Sequence, residues 1–432
     1  MIADFTIENF FSIKSAQKIS FEATSDMQQL DEYTYEVKEG VRLLKIGVLY
    51  GANASGKSNI LNAIEFFKNL VLSVPKDRTE STGVVPFLLD DISKTKRTLL
   101  SMSFYLNQEK YILSFELDKD RIYEESLFVY ESTRPANLYK RKYNEQTDAS
   151  DISFGANLKL GKKNQATIIG NTINNCSVLA AFGKSNVEKS RLNDVYDFFS
   201  KQVKDVLSPK MSLSGYIKRH LDQDDSGELK TFVLNLLQAS DFNIEDITIN
   251  EEEELITPEL EKIIESVPMP SEAKDEMLKR GKVVNSELRF THKAGKESYE
   301  LPEYFESTGT MRFLGMSVML NYLLKKNQFV SIDEIETSIH YELLSYFIKV
   351  FLANSDKTSQ LLITTHDINL LNEDYIRRDT IWFTDKDELG ETHLFRLSSL
   401  GLHKNLSPYN AYKQGKLVKL PFLGSPYLNL ND

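Results

Sequence analysis

The chain of 432 residues carries 52 basic and 63 acidic side chains, for a formal net charge of −11, and is 41% hydrophobic and 11% aromatic. This length predicts two or three lobes around a large core. The negative balance argues against a protein that coats nucleic acid over its whole surface, but leaves room for a local basic groove. The single cysteine, Cys176, excludes an internal disulfide framework and a cysteine-rich zinc site, and reads as a small buried apolar residue.

The opening stretch Met1-Ile2-Ala3-Asp4-Phe5 lacks the basic and apolar regions of a signal peptide. No apolar run reaches the roughly 18 residues of a membrane span. A reducing cytoplasm is the expected location. Partial alternation predicts two strands, Ile2 to Asn9 and Gln17 to Ala23, with a turn around Phe11-Ser12-Ile13-Lys14-Ser15.

A short apolar run, Leu44 to Tyr50, then reads as a buried strand. Gly51-Ala52-Asn53-Ala54-Ser55-Gly56-Lys57-Ser58 comes next, and Asn59 to Phe67 shows helical apolar spacing. Strand, glycine loop, helix is the context of a phosphate-binding loop. Gly51, Asn53, Ser55, Gly56 and Asn59 are the candidate cradle, where backbone N–H groups turn inward onto phosphate oxygens. The helix start adds its positive dipole end. Lys57 can reach the β- and γ-phosphates, and the Ser58 hydroxyl can ligate Mg²⁺. ATP and Mg²⁺ are the implied cofactors.

Residues 97–130 are rich in β-branched and aromatic residues and predict an antiparallel lobe. Residues 134–165 mix Arg134, Arg141 and several lysines with tyrosines; a solvated hairpin surface is preferred over a nucleic-acid contact. Residues 186–240 read as helical, with Val195, Phe198, Phe199, Val203, Val206 and Leu207 near helical spacing. The run Glu251 to Glu254 reads as a solvated loop, and Pro258, Pro268 and Pro270 punctuate the stretch after it. No internal repeat and no sustained heptads are present, so a long coiled-coil arm is not expected.

Glu306-Ser307-Thr308-Gly309-Thr310 precedes a helical pattern over Phe313 to Leu324, which makes it a second anion-binding position or an ordinary Ser/Thr cap. The apolar run Phe329 to Ile332 ends in Asp333-Glu334. Asp333 is the candidate metal residue and Glu334 the candidate general base. A second apolar run, Gln360 to Thr365, ends in His366, which can sense the terminal phosphate and the attacking water. Asp367, Asp374, Asp379, Asp385 and Asp387 are too irregularly spaced to form a metal motif.

In this order the loop, the Glu306–Thr310 segment, the acid pair and Thr364-Thr365-His366-Asp367 resemble an ABC-type ATPase head of the RecF and SMC branch. The sequence is most similar to the stand-alone, OLD-related, RloA-like abortive-infection ATPases. Pro86-Phe87-Leu88, Ser338-Ile339-His340, Arg377 to Phe383 and Tyr409 to Gly415 add to the resemblance. It implies an α/β P-loop NTPase head, with a mixed or parallel core sheet flanked by helices, an antiparallel β lobe and an inserted helical subdomain. The expected division is 1–75 and 296–432 for the ATPase core, 76–180 for the β lobe and 181–295 for the helical insert.

The resemblance further implies two heads facing each other in a dimer or larger assembly. Ser307, Thr308, Gly309 and Thr310 of one head would then contact the nucleotide of the other. Glu306 and Thr308 depart from the common ABC signature. The stretch after His366 is too short for the nuclease domain of OLD proteins, so a separate effector, a nuclease or toxin, is the expected partner in an anti-phage system. A RecF-like ATPase that clamps duplex DNA is the alternative, with nucleic acid as partner.

Overall fold

The computed structural model describes residues 1–28, 30–267, 271–401 and 407–418, the side chains of 271–273 excepted. Pro268 and Pro270 lie outside the described residues. The chain divides into two compact units. The first comprises residues 1–209, 323–337 and 348–432, and the second residues 210–322 and 338–347.

Among the described residues, the first unit is built on two main sheets, with a two-stranded antiparallel ribbon of Thr34–Lys38 and Val41–Leu44 besides. Its core sheet contains β1 (Ile46–Gly51), β2 (Phe329–Ile332), β3 (Gln360–Thr365), β4 (Ile381–Lys386) and β5 (Thr392–Arg396), in the order β2-β3-β1-β4-β5. The first four are parallel; only β5 runs antiparallel, beside β4. β1, β2 and β3 are buried at every position, as expected of apolar strands covered on both faces. The parallel order carries the C-terminal ends of β1, β2 and β3 to one edge, where α/β sheets bind ligands.

The second sheet has seven antiparallel strands. It includes Ile2–Glu8, Gln17–Ser20 and the meander from Thr98–Leu106 to Ala149–Phe154. Helix α1 (Lys57–Leu72) joins the two sheets through one apolar cluster. Its Phe67 packs edge-on against Phe5 at 5.4 Å and Phe115 at 5.1 Å, both from the seven-stranded sheet. Leu49 and Leu362 of the core sheet belong to the same cluster. Each fully buried aromatic of this kind contributes roughly 1.5–3 kcal/mol.

Three local expectations are corrected. Within residues 186–240, helix forms over Arg191–Asp197 and one wide turn, closed by Val203 N–H donating to Phe198 O at 3.1 Å, and again over Ser214–Asp222 and Glu228–Ala239, but not over 203–213. Val203 and Leu207 instead run extended along the free edge of β2. Lys204 and Leu207 donate to β2 carbonyls, because an open strand edge offers acceptors that a further helical turn would leave unmet. In the second unit, Glu251 to Glu254 lie within the strand Ile244–Leu255, paired with Lys282–Ala294 in a three-stranded sheet. Cross-strand pairing, including Lys282 Nζ to Glu253 at 2.6 Å, offsets the weak strand propensity of glutamate. The region expected to be a helical insert therefore contains strands as well as helices.

The third correction concerns Arg141, which belongs to no solvated surface. It is fully buried, 3.5 Å from the equally buried Glu125. Arg141 also donates to the carbonyls of Cys176, Ile173 and Asn174, while Glu125 accepts from Tyr139 Oη and Val178 N–H. Burial pushes the Glu125 carboxyl up and the Arg141 guanidinium down, and their mutual attraction opposes both shifts. Removing one partner strands the other charge. Arg141→Ala is accordingly expected to cost about 3–5 kcal/mol of stability, measured by urea denaturation.

Several segments that carry the family resemblance have structural duties. Arg377 holds Asp379 through two hydrogen bonds and donates to Asp26 O, and Asp379 accepts from Thr24. Tyr412 stacks on Phe383 at 6.0 Å. Phe87 N–H donates to the buried Asn9.

Candidate functional site

The loop between β1 and α1 requires its glycines. A Cβ on Gly51 would lie 2.6 Å from the Thr384 carbonyl. Gly56 sits at φ +104, and a Cβ there would collide with the Thr392 side chain. The loop is braced from outside. Ser55 Oγ pairs with Thr384 Oγ1 at 2.6 Å, and Thr392 Oγ1 donates to Ser55 O at 2.9 Å. Asn59 Nδ2 donates to Ser12 Oγ at 2.7 Å, which ties the N-terminal turn to α1. Asn53 lines a cavity beside the loop.

Lys57 lies back in the loop, with Nζ donating to Gly51 O at 2.8 Å and Ala52 O at 3.1 Å. Burial lowers its pKa to about 8, against the pull of Asp333, Glu334 and Glu336. Ser58 Oγ donates to Asp333 Oδ2 at 2.8 Å, and Thr364 Oγ1 to Asp333 Oδ1 at 2.6 Å. A serine hydroxyl and a carboxylate side by side, both hard oxygen donors, fit a magnesium ion.

Glu334 adopts φ +45, a left-handed conformation that is costly for a non-glycine residue and tends to occur at functional sites. Two contacts hold it there: Glu334 N–H donates to Thr364 Oγ1 at 2.8 Å, and Ile335 N–H to Thr364 O at 3.1 Å. His366 Nε2 stands 3.9 Å from Glu334 Oε1. Burial and the nearby Lys57 charge lower the His366 pKa, which favours a neutral imidazole at pH 7. Loop residues 53–59 line a cavity of about 360 Å³ together with Glu334, His366 and Lys386.

The structure thus brings together Lys57, Ser58, Asp333, Glu334 and His366 in the first unit. Ser307, Thr308, Gly309 and Thr310 belong to the second. There Ser307 Oγ accepts from Thr310 N–H at 3.0 Å and caps helix α2 (Thr308–Lys325). Glu306 pairs with His292 Nε2 at 2.6 Å, and a Cβ on Gly309 would meet Ser338 O.

Sequence reasoning missed Ser12, Glu336, Thr384, Lys386 and Thr392. No local pattern marks Ser12, Thr384, Lys386 or Thr392, since each reaches the loop from a distant segment; Glu336 follows the acid pair by two residues, but its partner, the His366 N–H, lies 30 positions on. Asp387, dismissed on spacing, comes within 4.8 Å of Glu391 and His393. This cluster organises the β4–β5 turn: Asp387 accepts from Leu389 and Glu391 N–H, and Glu391 from Ser15.

Residues 46–372 match the family described as "AAA domain, putative AbiEii toxin, Type IV TA system". The chain belongs to this AAA-domain family. The chain has the α/β P-loop ATPase fold expected from its motifs, and its family supports ATP binding and ATPase activity in general. A search of curated proteins found no match. Among solved structures it is similar to an SMC head domain from Thermotoga maritima, at 13% identity and a TM-score of 0.43, covering 91% of this chain and 98% of that one. It is also similar to an Smc head bound to the C-winged helix domain of ScpA, at 14% identity and a TM-score of 0.43, covering 92% and 99%. A third similar structure is an Smc head with an extended coiled coil bound to the C-terminal domain of ScpA, derived from Pyrococcus furiosus, at 12% identity and a TM-score of 0.38, covering 96% and 98%. Among the described residues, no helix is long and apolar enough to cross a membrane.

Proposed function

We propose that this protein is an ATP-hydrolysing switch of the OLD-related, RloA-like group. In this reading it acts in the cytoplasm as the sensor subunit of an anti-phage system and controls a separate effector, a nuclease or toxin. The supporting observation is the meeting of Lys57, Ser58, Asp333, Glu334 and His366 at the C-terminal edge of one parallel sheet. The matched family's description names a putative AbiEii toxin of a Type IV TA system.

Gly51, Asn53, Ser55, Gly56 and Asn59 shape the phosphate cradle, and Lys57 swings from the loop carbonyls to the β- and γ-phosphates. Ser58 and Asp333 would hold Mg²⁺, which neutralises phosphate charge when bound. Glu334 orients and deprotonates the attacking water, and neutral His366 donates to the terminal phosphate. Ser307, Thr308, Gly309 and Thr310 would close the site from a second copy, so that nucleotide state sets pairing and pairing sets effector access.

Mixing two inactive variants tests the shared site. Lys57→Ala and Ser307→Arg are each expected to abolish turnover. Their mixture is expected to recover about a quarter of the wild-type rate, since half the dimers are mixed and each mixed dimer has one intact site. No recovery among exchanging subunits would end the two-copy reading. Co-purification with the product of a neighbouring gene tests the effector role. Tight, salt-sensitive DNA binding by the protein alone would instead favour the RecF-like clamp.

A further inference from the structure

Glu336 lies two residues past Glu334 and has no role in the scheme above. Its Oε1 accepts the His366 backbone N–H at 2.6 Å. β3 ends at Thr365, so this N–H has left the sheet ladder and meets the side chain of Glu336 instead. The other carboxylate oxygen, Oε2, is buried and has no hydrogen-bond partner among the described residues. An orphaned buried oxygen is destabilising, so this carboxylate is poorly explained as a device for fold stability.

The acid loop and β3 are already joined at Thr364, which contacts Asp333, Glu334 and Ile335. Those contacts fix the acids but stop short of the histidine turn. Glu336 adds the contact that reaches His366 itself. Its charge acts there as well: among the nearby carboxylates, Glu336 does the most to raise the proton affinity of the imidazole.

We propose that Glu336 is a positioning residue for ATP hydrolysis, holding the His366 turn against the Asp333–Glu334 loop so that the imidazole faces the terminal phosphate. The proposal rests on the ATPase reading of this site. Glu336 needs no contact with substrate; it acts through the main chain of His366. A carboxylate and an amide can both accept that N–H, whereas an alanine cannot.

The test is steady-state ATP hydrolysis by the full chain as wild type, E336A, E336Q, H366A and the E336A/H366A double variant, with melting temperatures alongside. E336A is expected to lose about tenfold or more in kcat, with KM within about threefold. E336Q is expected to recover most of the loss. The double variant is expected to match H366A within about twofold, because Glu336 acts through His366. If E336A does not fold, E336M, which keeps the volume but offers no acceptor, replaces it. Wild-type kcat in E336A, a loss that adds in full to that of H366A, or a fall in melting temperature that tracks activity and is not rescued by E336Q would each overturn the proposal. A wild-type protein without turnover would remove the ATPase reading and this proposal together. Active wild type with unaffected variants would remove this proposal alone.

Discussion

Glu334→Gln is expected to slow ATP hydrolysis by about 10²–10⁴-fold while leaving ATP bound. Glu334 is held at φ +45 by the Thr364 contacts, and its carboxylate faces the loop cavity beside His366. Glutamine keeps the size and the backbone contacts but loses the basic oxygen. Binding should survive, because the cradle, Lys57 and Ser58 are untouched. The variant should therefore accumulate in the ATP-bound, paired form. Single-turnover hydrolysis and size-exclusion chromatography with and without ATP measure the two halves of this expectation. Unchanged hydrolysis would remove Glu334 from the role of base.

Lys57→Met is expected to weaken ATP binding by about 2–5 kcal/mol, or thirtyfold and upward, because a desolvated charge partner of the phosphates is lost. The nucleotide-free fold should tolerate the change, since methionine fills a similar volume and removes a buried charge. Lys57 also gives ATP binding a pH signature. Its pKa in the free protein is lowered to about 8 by burial, below its ordinary value of 10.5. Between these values the unfolded chain holds more protons than the folded one, so this group's contribution to stability rises as pH rises through that window. Phosphate beside Lys57 restores the charged form. ATP binding is thus expected to take up protons near pH 8.5 and to lose that uptake in Lys57→Met. Calorimetric titration in buffers of different ionisation enthalpy reads the uptake directly. Equal uptake in both proteins would assign the proton elsewhere.

The sequence by itself determined the elements whose signal is local. β1, the glycine loop and α1 were legible from Leu44 to Phe67 because apolar runs, glycines and helical spacing sit side by side along the chain. Asp333, Glu334 and His366 stood out as polar groups closing apolar strands, since a buried parallel strand must end where water or ligand begins. Tertiary structure alone decided the rest. Leu207 reads as helical by spacing, yet a free strand edge takes its N–H. Glu251 to Glu254 read as loop, yet a partner strand pairs them. Thr384 and Thr392 brace the phosphate loop from more than 300 positions away, and Glu336 meets the His366 N–H across 30. A hydrogen bond across the chain leaves no periodicity in either segment it joins, so folding alone brings its two ends into register.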